Sequence, residues 1–263
     1  MSTIHFFKYQ GAGNDFIILD AITFPQYLGL KTNEIELLCD RHFGIGADGL
    51  MILDNSDIAN FDMIYYNSDG KRSTMCGNGG RCIVALANHL GYIKKHCSFS
   101  AIDGIHEAEV LDHEQIRITL NVEGTPTNVN EDYVLNTGSP HYVRFVENLD
   151  RIDMMAFGRS IRYSQLLIED GINVNAVEIL KEGKLQIRTY ERGVENETLA
   201  CGTGVTAAAI VYKYVNPHMD LRDIDIIAKG GELKVFFDHN YLDTGQVFLE
   251  GPAKQVFKGI IDI

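Results

Sequence analysis

Cys76 and Cys201 stand 125 positions apart, and each opens a run of small residues that leads into an apolar segment. Cys76-Gly77-Asn78-Gly79-Gly80 precedes Ile83–Leu90, and Cys201-Gly202-Thr203-Gly204 precedes Val205–Tyr212. A thiol followed by glycines at the mouth of a helix points to chemistry more than to packing. The N–H groups of a helix's first turn lack partners inside the helix, and the helix dipole places positive potential there. Such a place can hold a carboxylate or phosphate and can lower a cysteine's pKa. Two equivalent thiols do not suit a Cys–His hydrolase, which needs one nucleophile and one base. They suit removal of a proton from one face of a carbon and return of a proton to the other, with one cysteine a thiolate while its partner is a thiol. A free thiol titrates near about 8.5, so a modest downward shift leaves a shared-proton pair workable near neutral pH, with the two titrations coupled.

The elements that must carry these residues repeat. Residues 4–9 and 16–20 read as strands around the turn Gln10–Asp15, and Thr32–His42 has helical spacing behind a Thr/Asn cap. Leu50–Leu53 and Phe61–Tyr66 are strand-like, Ile83–Leu90 is helical, and Phe99–Ile102, Glu107–Leu111 and Gln115–Leu120 form a meander. Residues 121–132, polar and containing Gly124 and Pro126, are the linker candidate. Beyond it the order starts again. Tyr133–Val146 echoes Phe6–Leu19, Gly171–Leu180 echoes Gly44–Leu53, Leu185–Glu191 echoes Phe61–Asn67, and Ile224–Leu249 echoes Phe99–Leu120, at offsets of 124 to 127. The reading is an α/β (α+β) chain of two pseudo-symmetric homologous domains, 1–126 and 127–252, each with one Cys-Gly turn at a helix start. If the halves face each other, the thiols line opposite walls of one cleft.

Other signals are weaker. Gly44-Ile45-Gly46-Ala47-Asp48-Gly49 matches G-x-G-x-x-G, but a helix precedes it and a strand follows, the reverse of the dinucleotide-binding order. No Cys-x-x-Cys or His-Glu-x-x-His spacing suggests a metal. Cys39 and Cys82 read as packed thiols, Cys97 opens a strand with no partner in sequence, and five scattered cysteines fit a reducing cytoplasm better than a disulfide framework. The 263 residues carry a formal net charge of -13, which disfavours nucleic acid, and no apolar run reaches the roughly 18 residues of a membrane span. Among the nine histidines, His141 stands out because Gly138-Ser139-Pro140-His141 echoes the glycine turn of the first half.

These blocks resemble the diaminopimelate epimerase family. The resemblance rests on Lys8–Phe16, Gly44–Gly49, Asn67–Gly70, Cys76–Arg81, Gly171–Val174, Glu191–Gly193 and Ala200–Gly204, and so runs through most of the chain. The related proline racemases usually carry His where Asn78 stands, and phenazine-type isomerases lack the thiol pair. The resemblance implies a barrel-like mixed sheet around a central helix in each half, with the C-terminal strand 253–263 returning to the first half, and a homodimer. It implies interconversion of LL- and meso-2,6-diaminopimelate, in lysine and peptidoglycan precursor synthesis, with no cofactor. Cys76 and Cys201 become the acid/base pair, with His141 and Glu191 near the reacting centre. The backbone of Gly77, Asn78, Gly202 and Thr203 would hold the reacting carboxylate. Asn14, Asn67, Asn173, Glu191 and Arg192 would hold the distal amino acid end, Arg192 suiting a carboxylate and Glu191 an ammonium. This chain departs from the family pattern at Ser139, where Asn is common, at Gly49, where some members carry Gln, and by one extra residue near Glu195-Asn196. The alternatives are a racemase or epimerase of another amino acid such as proline or hydroxyproline, a thiol redox protein, and an amino acid binding protein.

Overall fold

The computed structural model describes residues 3–164, 171–238 and 246–263. The chain divides into two compact units, Met1–Ile118 with Gly251–Ile263, and Thr119–Glu250. In the first unit the sequence runs through β1 (Thr3–Gly11), β2 (Asn14–Asp20), α1 (Thr32–Cys39), β3 (Gly49–Asp54), β4 (Phe61–Asn67), α2 (Gly77–His89), β5 (His96–Ala101), β6 (Gly104–Val110) and β7 (Gln115–Asn121). β1 and β2 pair antiparallel, β2 and β3 parallel, β3 and β4 antiparallel, and β4 and β5 parallel. β5, β6 and β7 complete the ladder as an antiparallel meander.

The second unit repeats that pattern. It contains β8 (Glu123–Val129), β9 (Asp132–Asn136), β10 (Pro140–Phe145), α3 (Met154–Arg162), β11 (Asn173–Lys181), β12 (Lys184–Glu191), β13 (Asn196–Thr198), α4 (Gly202–Val215), β14 (Asp223–Ala228), β15 (Gly231–Phe237) and β16 (Gln246–Pro252). β9 to β12 alternate antiparallel, parallel, antiparallel, and β14 joins β12 in parallel before the meander β14–β15–β16. Residues 239–245 of the stretch expected to echo the first meander lie outside the described residues. The last strand, β17 (Lys254–Asp262), pairs antiparallel with β1, as β8 does with β9.

Helices α2 and α4 are buried on nearly every face, from Gly77 to Ala87 and from Gly204 to Tyr212. Helices apolar all round belong inside a core. α2 packs against β1, β2, β3, β6 and β17, and α4 against β8 to β12, β14 and β15. The opposite faces of the strands meet α1 or α3. Ile17, Leu19, Leu50 and Ile52 join Ile35 and Leu38 in one cluster, and Tyr142, Val174, Ala176 and Tyr190 join Met154 and Ile161 in the other. Strands covered on both faces need near-continuous apolar sequence, as β2 and β3 have.

Several expectations change. Residues 121–132 are not a linker: β8 occupies most of them and pairs with β9, so the boundary expected at 126/127 falls inside a strand. Pro126 lies where the β8–β9 register shifts, the irregularity that tolerates a residue without an N–H. α1 stops at Cys39 rather than His42, because Asp40 turns extended and its carboxylate caps the amides of His42 and Phe43. Its start is held by Glu34, which accepts from the Lys31 amide, not by the Thr/Asn pair. α2 begins at Gly77, six residues before the apolar run that announced it.

Candidate active site

Cys76 and Cys201 hold the N-cap positions of α2 and α4 in nearly the same backbone conformation, φ -112° and ψ 119° against φ -113° and ψ 109°. In each, the cysteine carbonyl accepts the first intrahelical bond, from Gly80 or Val205. The thiols therefore leave equivalent positions at the positive ends of two buried helices. Both are half-buried. The remaining cysteines differ: burial pushes Cys39 and Cys97 up to about 12 and Cys82 higher still, so they remain neutral packing groups.

Around Cys76 the site is built from amides and a buried cation. Asn78 donates to Asn14 Oδ1 at 2.6 Å, and Asn14 donates to Asp48 at 3.0 Å. Asp48 also takes the Asp15 amide, while Arg41 bridges Asp15 and Asp48. Lys8, itself buried, closes the set on Asp15 at 2.7 Å and on the Gly46 carbonyl. Arg81 is fully buried beneath the helix start, donating to Asn78 Oδ1 at 2.7 Å and to the carbonyls of Gly77 and Pro252. Burial pulls its pKa down to about 10, so it stays cationic at neutral pH, and a thiolate at Cys76 would favour that charge. Asn67 ends β4 opposite Gly49 and is exposed. No side chain fits at Gly49 as the strand stands, because a β-carbon would come 2.6 Å from the Tyr65 ring.

Around Cys201 the equivalent places hold hydroxyls, an imidazole and charges. Cys201 Sγ lies 3.4 Å from Thr203 Oγ1, and Thr203 Oγ1 lies 2.9 Å from His141 Nε2. Ser139 Oγ is 3.1 Å from the same nitrogen and accepts from Asn173 Nδ2 at 3.1 Å. Asn173 Oδ1 takes the Arg192 amide, so this side chain links the histidine turn to the turn that carries Arg192. Glu191 accepts from Thr198 across the β12–β13 pair. His141 is fully buried, and burial together with the Arg192 charge lowers its pKa to about 3.

The half-sites are thus built alike. Asn14 corresponds to Ser139, Gly49 to Asn173, Asn67 to Glu191 and Asn78 to Thr203, each pair set by strand register or by position on the helix. Gly13 and Gly138 have φ of 93° and 98°, the left-handed turn both halves need before the strand that reaches the helix mouth. The residues expected from sequence gather as two sets: Asn14, Cys76, Gly77 and Asn78 with Asn67 at the strand end, and His141, Asn173, Cys201, Gly202 and Thr203 with Glu191 and Arg192. Sequence reasoning missed Arg81, Asp48, Asn175 and Thr189. A signal existed for Asn175, a polar residue two along from Asn173 and set between Val174, Ala176 and Val177. Gly44–Asp48 connects α1 to β3, with Gly46 at φ 79°, and Gly49 opens the strand, so the motif opens no helix.

The pair of mixed-sheet units, each wrapped on a buried central helix, is a fold shared with known structures. The Bacillus anthracis phenazine biosynthesis protein of the PhzF family matches with a TM-score of 0.72 over 100% of both chains at 17% identity. A hydroxyproline epimerase from Agrobacterium vitis matches with a TM-score of 0.70 over 98% of this chain and 92% of its own, at 12% identity. Those likenesses establish the fold. The family model for diaminopimelate epimerase matches residues 6–126 and 133–256. The diaminopimelate epimerase of Flavobacterium psychrophilum is 48% identical over 97% of this chain and 99% of its own. That of Chlorobaculum tepidum is 40% identical over 97% and 100%. The chain belongs to the diaminopimelate epimerase family, and its activity is that of an isomerase in lysine biosynthesis. No described helix is long and apolar enough to cross a membrane.

Proposed function

We propose that Cys76 and Cys201 act on one α-carbon of diaminopimelate from opposite faces, the thiolate of one removing the proton while the thiol of the other supplies a new one. The observation that carries this reading is the matched N-cap geometry of the two thiols, φ and ψ agreeing to within about ten degrees. Inversion by this route needs one acid/base group for each face of the carbon, and each repeat provides one. As the proton leaves, charge flows into the α-carboxylate. The first-turn N–H groups of Gly77, Asn78, Gly202 and Thr203 are the donors for it, aimed before the charge develops and so costing no reorganisation. Arg81 adds a fixed positive charge behind Cys76 that attracts a thiolate there.

Asn14, Asn67, Asn173, Glu191 and Arg192 hold the distal amino acid end, with Arg192 on its carboxylate and Glu191 on its ammonium. His141 and Glu191 support the reacting centre. The same reading places the protein in the cytoplasm as a homodimer that needs no cofactor. LL-diaminopimelate supplied in deuterium oxide under reducing conditions gains α-deuterium as meso product forms; Cys76→Ala and Cys201→Ala each abolish that inversion. Full epimerisation by either variant overturns the assignment, and exchange into proline or hydroxyproline but not diaminopimelate redirects it to another amino acid.

A further inference from the structure

The second repeat carries a row of polar side chains where the first repeat carries apolar ones. Phe16 pairs with Gly49 as His141 pairs with Asn173, and Met51 pairs with Tyr65 as Asn175 pairs with Thr189. His141, Asn175 and Thr189 therefore stand in the registers of Phe16, Met51 and Tyr65. The helix contact is shared too: a β-carbon on Gly79 would meet Met51 Sδ, and one on Gly204 would meet Asn175 Oδ1 and the His141 ring. In the first unit this place is closed by Phe16 edge-on to Tyr65, with Met51 wholly buried. Packing does not require polar groups here, and burying them is unfavourable unless every one is bonded.

They are bonded in one direction. Asn175 Oδ1 accepts from Thr189 Oγ1 at 2.9 Å, and Nδ2 donates to the Tyr142 carbonyl at 2.8 Å, so the amide cannot be turned over. The same Nδ2 faces His141 Nδ1 at 3.1 Å and can only donate to it. A neutral imidazole that accepts at Nδ1 carries its hydrogen on Nε2. Nε2–H then donates to Thr203 Oγ1 at 2.9 Å, with Ser139 Oγ beside it at 3.1 Å. Thr203, having accepted, keeps its own hydroxyl hydrogen for another partner. Cys201 Sγ stands 3.4 Å away, as does Ser139 Oγ.

We propose that Asn175, backed by Thr189, is a positioning residue that holds His141 as its Nε2–H tautomer and so leaves the Thr203 hydroxyl free to donate to the Cys201 thiolate. His141 then acts through Thr203 and not on the substrate. Its neutral state, held by burial and the Arg192 charge, is what this role needs. The chain of donors stabilises negative charge on sulfur when Cys201 is the base. When Cys201 is the acid, the hydroxyl oxygen can take the S–H hydrogen bond instead. The first repeat has no counterpart, so the two thiols differ in how their charged forms are supported. This inference rests on the reading of Cys201 as a working thiol.

The test is nitrogen-15 NMR of the whole protein labelled at histidine, with the His141 signals assigned by their loss in His141→Gln. The expected result is a proton on Nε2 and none on Nδ1 from pH 6 to 8; a proton on Nδ1, or titration in that range, overturns the proposal. Asn175→Asp offers an acceptor to Nδ1, moves the proton there and turns the Thr203 hydroxyl toward Nε2. Alkylation of Cys201 by iodoacetamide at neutral pH, read on its peptide with Cys76 as internal reference, should slow about tenfold or more, and its pH profile should rise. Asn175→Met, the residue of the first repeat, should slow Cys201 alkylation in the same sense. It keeps the question open to measurement if the Asp variant does not fold. Unchanged Cys201 alkylation in a folded variant overturns the proposal. Persistence of epimerisation in Cys201→Ala would instead overturn the role of the thiol while leaving the tautomer standing.

Discussion

Gly204 lies so close over Asn175 that a β-carbon there would stand 2.5 Å from the amide oxygen. The matching contact in the first unit, Gly79 over Met51, leaves 3.0 Å to a thioether sulfur. The same helix start thus rests on a rigid polar group in one half and on a flexible apolar one in the other.

Gly204→Ala and Gly79→Ala should therefore part company. Asn175 is pinned by Thr189, Tyr142 and His141 and has nowhere to move, so the first substitution forces the helix away and costs about 2 to 3 kcal/mol. Met51 can change rotamer, and the second should cost under about 1.5 kcal/mol. Urea unfolding of both variants measures the difference; equal losses would show that the Asn175 contact gives way.

Arg81 supports the other helix start. It is wholly buried and reaches Asn78 Oδ1 and two carbonyls, so Arg81→Met withdraws several charged donors at once. A loss of at least about 2 kcal/mol is expected, with α-hydrogen exchange falling further because Asn78 loses its anchor. Arg81→Lys should not rescue either property, since one ammonium cannot span partners that a planar fork reaches together. Matched denaturation and exchange assays check this, and full rescue by lysine would show that charge alone is needed.

Much of this arrangement was legible in the sequence because the chain states it twice. Cys76 and Cys201, Gly13 and Gly138, and the strands around them could be matched by offset before any coordinates. What escaped was tertiary. α2 begins at Gly77 with Gly-Asn-Gly-Gly, a poor helix former whose first turn is held by surrounding contacts rather than by propensity. β8 looked like a linker because its composition is polar, yet pairing with β9 overrides that composition. Arg81 read as one letter of a motif, although its burial makes it part of the site's foundation. The Asn175–His141 contact joins residues on neighbouring parallel strands, and no periodicity within one strand reveals such a pair.

His141 makes stability depend on pH in a defined sense. Its folded pKa is about 3, below the roughly 6.5 of an unfolded histidine, because burial and Arg192 oppose the charge. Between those values the unfolded chain binds more protons than the folded one, so stability rises with pH and is lost as pH falls through that window. By pH 5 this one group should cost roughly 2 kcal/mol relative to pH 8. His141→Phe, which places the first repeat's Phe16 in the equivalent register, should flatten the slope between pH 5 and 7 in urea titrations whatever its effect at pH 8. An unchanged slope would mean that His141 is already charged in the folded protein.

Glu195 closes the turn that presents Arg192. Its backbone is left-handed, with φ 56°, and its amide returns to the Glu191 carbonyl at 2.8 Å. Its carboxylate accepts from Tyr163 and Tyr190 through one oxygen and from the Gly193 amide through the other, with Arg162 nearby at 3.5 Å. Partial burial opposes the charge, but these donors outweigh it and hold the carboxyl below its usual range. Glu195→Ala removes the latch and leaves the cysteines, Thr203 and His141 untouched. If Arg192 grips the distal carboxylate, loss of its ordered turn weakens binding of ground state and transition state alike, so KM should rise about three- to tenfold with kcat within about twofold. Glu195→Gly relieves the backbone strain without restoring the latch, and should keep the high KM while regaining some stability. A fall in kcat at constant KM in steady-state epimerisation would instead place the turn's influence at the reacting carbon.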